Sequence, residues 1–126
     1  MRAFVLDSPF AMMADVVAAN FARQRLPRQP FTWAADLANR VRFGYGYEDV
    51  RPIDSIPSLP PRPTLLMHGT DDTNIPFEQA QLLADAAGRE NIEFVAFQGA
   101  DHCGGYFQDR PGYVKLVADF LDRAIG

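Results

Sequence analysis

Cysteine is nearly absent from this chain of 126 residues, because Cys103 is the only one. A single cysteine excludes an internal disulfide and a cysteine-ligated metal cluster. No apolar run approaches the ~20 residues of a membrane-spanning helix, and the net charge of -4 comes without a basic run that would bind nucleic acid. The first ten residues, MRAFVLDSPF, are interrupted by Asp7 and so lack the pattern of a secretory leader. We therefore expect a cytoplasmic protein that binds neither nucleic acid nor a membrane.

The remaining composition is typical of one globular domain, with 48% apolar and 22% charged residues. Short apolar runs alternate with segments of helical period. Residues 3–6 predict a buried strand, and residues 11–25 predict a helix that ends before Pro27. Thr32 is the predicted N-cap of a second helix. The apolar residues of that helix are spaced four apart, at Trp33, Leu37 and Val41.

A segment rich in proline and glycine, residues 43–63, predicts a loop that covers part of the domain. Residues 64–67 and 92–97 predict a second and a third buried strand. The helix expected between them ends at Gly88, and a last helix begins near Pro111. The residues of the last helix predicted to face inward are Tyr113, Val114, Val117, Phe120 and Leu121.

This order of elements indicates an α/β fold with a parallel sheet, right-handed crossovers and helices on its faces. In open sheets of this kind, catalytic groups gather at the carboxyl ends of the strands. Two of those ends carry the polar loops HGTDDTNIP and GADHCGG, which contain Asp72 and His102. A carboxylate beside an imidazole fixes its tautomer and stabilises the imidazolium. The two residues are therefore candidates for the acid and the base of a nucleophilic triad.

The loop after the second strand has the pattern His-Gly-x-x-Asp-x-x-x-Pro, which resembles the acid segment of α/β-hydrolases. The pattern is carried by His68, Gly69, Asp72 and Pro76. The sequence GADH resembles the histidine loop of the same family. The segments VLDSPF and PIDSIPSLPPRPTLLMHG are similar to bacterial members related to serine peptidases and esterases. The resemblance implies that Asp72 is the triad acid and His102 the general base, and it implies no cofactor.

The resemblance covers nearly the whole chain, but only as the second half of that fold. It implies that residues 3–7, 64–67 and 92–97 are the sixth, seventh and eighth strands of the family. We accordingly expect residues 1–126 to form a C-terminal half of a hydrolase domain, in which residues 25–62 are a cover or linker segment.

The serine of the family lies in a Gly-x-Ser-x-Gly elbow, and this sequence lacks that motif. Its three serines, Ser8, Ser55 and Ser58, all lie in other contexts. Two functions remain open. The chain supplies the aspartate and histidine for ester, thioester or peptide hydrolysis, and is inactive until another segment supplies the serine and the oxyanion hole. Alternatively, it is a non-catalytic half-fold used for binding or assembly.

Other polar residues carry competing interpretations. Asp7 also ends a strand and is a second candidate acid, although a turn residue before Pro9 is the better interpretation. Ser8 is a weak candidate nucleophile, because Pro9 removes an amide that an oxyanion hole would use. Cys103 is also weak, because adjacent side chains in an extended loop point apart. His68 ends a buried strand and is expected to be packed and hydrogen bonded.

Three further expectations concern ligands and partners. A metal site made of His68, Asp72 and His102 is unfavoured, because no short ligand spacing supports it. Several aromatic residues could line a pocket for a small ester or amide substrate, or simply pack against helices. They are Phe31, Trp33, Phe43, Tyr45 and Tyr47. The apolar edge at residues 3–6 predicts self-association or pairing with a complementing N-terminal half.

Overall fold

Three parallel strands form the centre of the molecule. They are β1 (Phe4–Asp7), β2 (Thr64–Gly69) and β3 (Ile92–Phe97) in the computed structural model. The structure describes residues 2–126, apart from the side chains of Arg28 and Arg89. The strand order is β1-β2-β3, so β2 is the central strand.

The parallel register aligns the carboxyl ends of all three strands at one edge of the sheet. Asp7 at the end of β1 is opposite Met67, and Gly69 at the end of β2 is opposite Phe97. The loops that follow the strands therefore emerge side by side. This alignment is what places the polar segments of distant sequence next to one another.

Six helices and three short 3₁₀ turns surround the sheet within the described residues. The helices are α1 (Met13–Arg23), α2 (Arg28–Phe43), α3 (Pro52–Ser55), α4 (Phe77–Ala86), α5 (Gly105–Gln108) and α6 (Arg110–Ile125). The 3₁₀ turns are Tyr47–Asp49, Ile56–Ser58 and Arg89–Asn91. In the part of the chain that the structure describes, no helix is long and apolar enough to cross a bilayer.

Successive side chains of β2 point to opposite faces of the sheet and pack into two separate hydrophobic cores. Leu66 packs with α4 on one face, against Ala80 and Leu83. Leu65 and Met67 pack on the other face, against α6. Because both faces of β2 are covered, its side chains from Leu65 onward are buried almost completely. Burial of this apolar surface is the main contribution to stability, at about 25 cal/mol per Å² removed from water.

The predicted strands and main helices are present, and the differences lie at their ends. The strand β2 continues to Gly69 instead of stopping at residue 67. The second helix spans Arg28–Phe43 with non-helical backbone at Gln29, so Thr32 lies inside it and is not its N-cap. Pro30 is tolerated in the first turn, where its missing amide is not needed. The segment 43–63 is less irregular than predicted, since it contains α3 and two 3₁₀ turns.

The apolar residues that are spaced four apart on α2 face outward. Trp33 is 62% exposed and Val41 is 81% exposed, and Leu37 is exposed as well. The helix lies against α1, not against the sheet. On the last helix, Val114 is also exposed instead of facing inward. Helical spacing identifies an apolar face, but it does not identify what covers that face.

A buried glutamine on α4 joins the helix to the start of α1. The Gln79 Oε1 accepts hydrogen bonds from the backbone N–H groups of Ala11 at 3.0 Å and Met12 at 2.9 Å. We expect Gln79→Ala to lower the free energy of unfolding by about 1–3 kcal/mol, because two backbone donors lose their acceptor. The matched control is Gln81→Ala on the exposed side of the same helix, expected to change it by less than about 0.5 kcal/mol. Equal urea midpoints for the two variants would contradict this assignment.

Candidate active site

The loop after β2 buries the Asp72 carboxylate completely and surrounds it with donors. Its Oδ1 accepts hydrogen bonds from the backbone N–H groups of Asn74 and Ile75, both at 2.8 Å. Its Oδ2 points toward the next loop, and the side chain has no solvent exposure. The tight turn that follows the strand therefore fixes both oxygens of the carboxylate. Asp71, its neighbour, is exposed at the surface.

The loop after β3 carries His102 to this carboxylate. The His102 Nδ1 lies 2.9 Å from Asp72 Oδ2. A carboxylate can only accept, so Nδ1 carries the hydrogen and Nε2 presents its lone pair. The His102 side chain is 34% exposed, and within the described residues no hydrogen bond to Nε2 is present. The pair therefore has the geometry of a base oriented by a buried acid, with the basic nitrogen accessible.

His68 lies beneath the pair and is fully buried. Its Nε2 is 2.9 Å from the carbonyl oxygen of Ile75 and 3.3 Å from Asp72 Oδ2. Because both partners only accept, Nε2 carries the hydrogen. The ring also packs edge-on against Phe77. His68 is therefore packed and hydrogen bonded, as the sequence predicts.

The same geometry bears on the metal interpretation. The two ring nitrogens that face Asp72, on His68 and His102, are both N–H donors to acceptors. Among the described residues, no group of three or more His, Cys, Asp and Glu side chains is placed to hold a metal ion. The arrangement of these three side chains is thus a hydrogen-bonded acid–base cluster.

The two loops are joined by hydrogen bonds that continue the pairing of β2 with β3. The backbone N–H of Thr70 donates to Phe97 O at 3.0 Å, and its hydroxyl accepts from Gly99 N at 2.8 Å. One residue further, the Asp71 N–H donates to Ala100 O at 3.1 Å. The parallel sheet is effectively extended beyond its last strand residues, up to the positions next to Asp72 and His102.

Asp101 makes the last link between the loops, and sequence analysis missed it. Its Oδ1 accepts from Thr73 N at 2.7 Å, Thr73 Oγ1 at 2.9 Å and His102 N at 2.8 Å. The two backbone N–H groups, first that of Thr73 and then that of His102, hold the pKa of Asp101 below its ordinary value. The signal in the sequence was the position of two polar residues: Asp101 directly precedes His102, and Thr73 directly follows Asp72.

The remaining candidates at the end of β1 are engaged elsewhere. The Asp7 Oδ2 accepts from Tyr113 OH at 2.9 Å, and no hydrogen bond in residues 2–126 joins Asp7 to His102. Ser8 is buried, and its Oγ accepts from Cys103 N at 3.0 Å. Burial raises the pKa of the Cys103 thiol, which disfavours the reactive thiolate. Burial first, and then the hydrogen bond to Asp7, raise the pKa of Tyr113 to about 12.

The two glycines after Cys103, Gly104 and Gly105, do not form an exposed loop. Gly105 is buried and begins α5. A side chain there would collide with the ring of Phe97. The glycines allow the chain to turn directly back against the sheet. The close turn leaves the His102 ring only partly exposed over Asp72.

The predicted aromatic lining is not arranged around this pair. An apolar cavity of about 340 Å³ lies along one face of the sheet, where it is lined by Phe4, Leu6, Thr64, Leu66 and Ile92 among others. Trp33 and Tyr47 line a smaller cleft of about 200 Å³ beside α1. Three other aromatics of the set, Phe31, Phe43 and Tyr45, are exposed. Neither cavity is lined by Asp72 or His102.

Comparison with known proteins gives a consistent set of relatives. The sequence profile of the prolyl oligopeptidase family matches residues 7–126. The uncharacterised protein YqkD of Bacillus subtilis is 31% identical over 120 residues, which are 94% of this chain and 39% of YqkD.

Solved structures give the same result for the fold. An esterase of Pyrococcus furiosus superposes with a TM-score of 0.72 at 20% identity, over 100% of this chain and 46% of the esterase. The thermophilic esterase Est2 of Thermogutta terrifontis superposes with a TM-score of 0.63 at 28% identity, over 95% of this chain and 41% of Est2. The chain thus spans less than half the length of each of these relatives.

Proposed function

Because the chain belongs to the prolyl oligopeptidase family and folds as a three-stranded fragment of an α/β-hydrolase, we propose that it supplies the acid and the base of a Ser-His-Asp triad. Asp72 is the acid and His102 is the base. The reaction is hydrolysis of an ester, thioester or peptide bond. The serine and the oxyanion hole come from a segment outside these 126 residues. We propose a cytoplasmic location for the assembly.

The hydrogen bond between His102 Nδ1 and Asp72 Oδ2, at 2.9 Å, is the observation that carries this proposal. With Nδ1 protonated, Nε2 takes the proton of the attacking serine, and the imidazolium that forms lies against a buried carboxylate. His102 then returns the proton to the leaving group. Four N–H groups point at the oxygens of Asp72: those of His102 and His68, and the backbone ones of Asn74 and Ile75.

The serines of the chain are poorly suited to the nucleophilic step. The Ser8 hydroxyl is buried and held by Cys103 N, and the proline after it supplies no amide for an oxyanion hole. Ser55 ends α3, and the Ser58 hydroxyl donates to Ser55 O. Neither is hydrogen bonded to His102 in the described structure. These contacts support a nucleophile that comes from elsewhere.

The open edge of β1 is where we propose that the serine-bearing segment joins. Within residues 2–126, β1 pairs only with β2, so its other side offers unpaired backbone groups. Val5 on this strand is partly exposed. A strand that precedes the serine elbow would complete the sheet and bring its serine to the same edge as His102. A second copy of the chain is the competing occupant of this edge.

A fluorophosphonate probe tests the division of roles. The purified chain is expected to remain unlabelled, because it has no activated serine. Co-expression with the segment of the source genome that encodes the nearest Gly-x-Ser-x-Gly elbow is expected to give labelling on that segment and hydrolysis of a p-nitrophenyl ester. The matched control is the same pair with His102→Ala, which should retain assembly and lose hydrolysis.

Two outcomes would count against the proposal. Labelling of the isolated chain would place the nucleophile within it. Assembly without labelling or hydrolysis would favour the second function, a non-catalytic half-fold that binds or assembles.

A further inference from the structure

We propose that Asp101 is a positioning residue whose carboxylate clamps the turn of the acid to the turn of the base, so that this chain assembles the Asp72–His102 pair without any other segment. The inference rests on the roles proposed above for Asp72 and His102. Asp101 does not touch the reacting atoms, and it acts only through its two neighbours.

The position of the carboxylate in the sequence makes it effective. Asp101 is directly bonded to His102, and Thr73 is directly bonded to Asp72. The Asp101 side chain therefore connects the two residues that immediately adjoin the pair, through Thr73 N at 2.7 Å and Thr73 Oγ1 at 2.9 Å. A shift of either backbone would change the distance between Asp72 Oδ2 and His102 Nδ1.

A second set of bonds aims His102 itself. The Asp101 Oδ1 also accepts from the backbone N–H of His102, at 2.8 Å. The backbone carbonyl of Asp101 accepts a further hydrogen bond, from Gly104 N at 2.7 Å. Asp101 thus holds the turn around His102 with both its side-chain carboxylate and its backbone carbonyl. The hydrogen bonds of Thr70 and Asp71 join the same two loops closer to the strands, but they do not involve Asp72 or His102.

The exposure of Asp101 separates this role from a role in the core. The residue is exposed, whereas Asp72 is buried. Loss of an exposed side chain usually changes global stability little. A purely structural contribution would therefore be small, and it would leave the His102 imidazole unchanged. If Asp101 acts as a clamp, removing its side chain leaves a folded chain in which His102 has lost its hydrogen bond to Asp72.

The chain offers a direct spectroscopic readout, because His68 and His102 are its only histidines. Two-bond ¹H–¹⁵N spectra of the chain labelled at histidine report the tautomer of each ring. In the unaltered chain, His102 is expected to show a protected, low-field Nδ1–H resonance. Asp101→Ala is expected to abolish that resonance and to leave the signals of buried His68 in place.

Matched variants define the comparison. Asp71→Ala removes a neighbouring exposed carboxylate whose contact is with the Thr70 hydroxyl, at 3.0 Å, and His102 is expected to keep its resonance. Thr73→Val removes the hydroxyl bonds to Asp101 and is expected to weaken the resonance without abolishing it. An Asp101→Ala spectrum with His102 unchanged would overturn the proposal.

Two further outcomes are decided by other variants. If Asp101→Ala does not fold, the His68 signals disappear, and Asp101→Asn decides. The asparagine variant keeps an Oδ1 that can accept all three bonds from Thr73 and His102, so its His102 signal is expected to match that of the unaltered chain. Loss of that signal in a folded Asp101→Asn chain would refute the clamp. If Asp72→Asn also leaves His102 unchanged, the triad assignment fails instead, independently of Asp101.

Discussion

Changing Asp72 to asparagine is expected to convert His102 to its other neutral tautomer and to lower kcat of the assembled hydrolase about 10⁴-fold. The Oδ1 of Asp72 accepts from the backbone N–H groups of Asn74 and Ile75. Asparagine keeps those bonds only by placing its oxygen there. Its NH₂ group then faces His102 Nδ1, which must accept instead of donate. The hydrogen moves to Nε2, the atom that has to receive the serine proton.

The tautomer and the rate can be measured separately. The ¹⁵N shifts of His102 in the isolated chain report which nitrogen carries the hydrogen, and steady-state hydrolysis by the serine-bearing assembly reports kcat. Asp71→Asn is the control, because its side chain is exposed. An Asp72→Asn assembly that retains kcat within about tenfold, a barrier change near 1.4 kcal/mol, would show that another group orients the base.

Much of the fold was predictable because its signals are local. The apolar residues at 64–67 and 92–97 have the composition of strands, and the structure places β2 and β3 there. Gly88 ends its helix with a φ of +66°, in the left-handed region that favours glycine. The juxtaposition of Asp72 and His102 also follows, because parallel strands align their carboxyl ends.

What sequence reasoning missed depends on contacts between distant residues. The Gln79 side chain caps backbone groups 67 and 68 residues away, and no local pattern encodes that bond. Asp101 and Thr73 look like ordinary polar loop residues until the sheet brings their loops together. The exposure of Trp33 and Val41 on α2 was not predictable from spacing either, because spacing identifies an apolar face but not what covers it.

Changing Gly69 to alanine is expected to lower the free energy of unfolding by about 3 kcal/mol or more, as for overpacking against rigid backbone. Gly69 ends β2 beneath the histidine loop and is buried. A Cβ at this position would overlap the carbonyl oxygen of Ala100, and it would lie 2.7 Å from that of Asp101. Both obstacles are backbone atoms, so the only relief is to move the whole loop that carries His102.

The change at Gly69 should therefore destabilise the chain and disconnect the pair at the same time. Gly88→Ala is the matched control, because a Cβ there meets nothing within 4 Å and is disfavoured only by the positive φ, at about 1–2 kcal/mol. Thermal unfolding should separate the two variants, and only Gly69→Ala should lose the Nδ1–H resonance of His102. If Gly69→Ala matched Gly88→Ala in both measurements, the loop that carries His102 could move away from Gly69 without loss of stability. Close packing at Gly69 would then not be what holds His102 against Asp72.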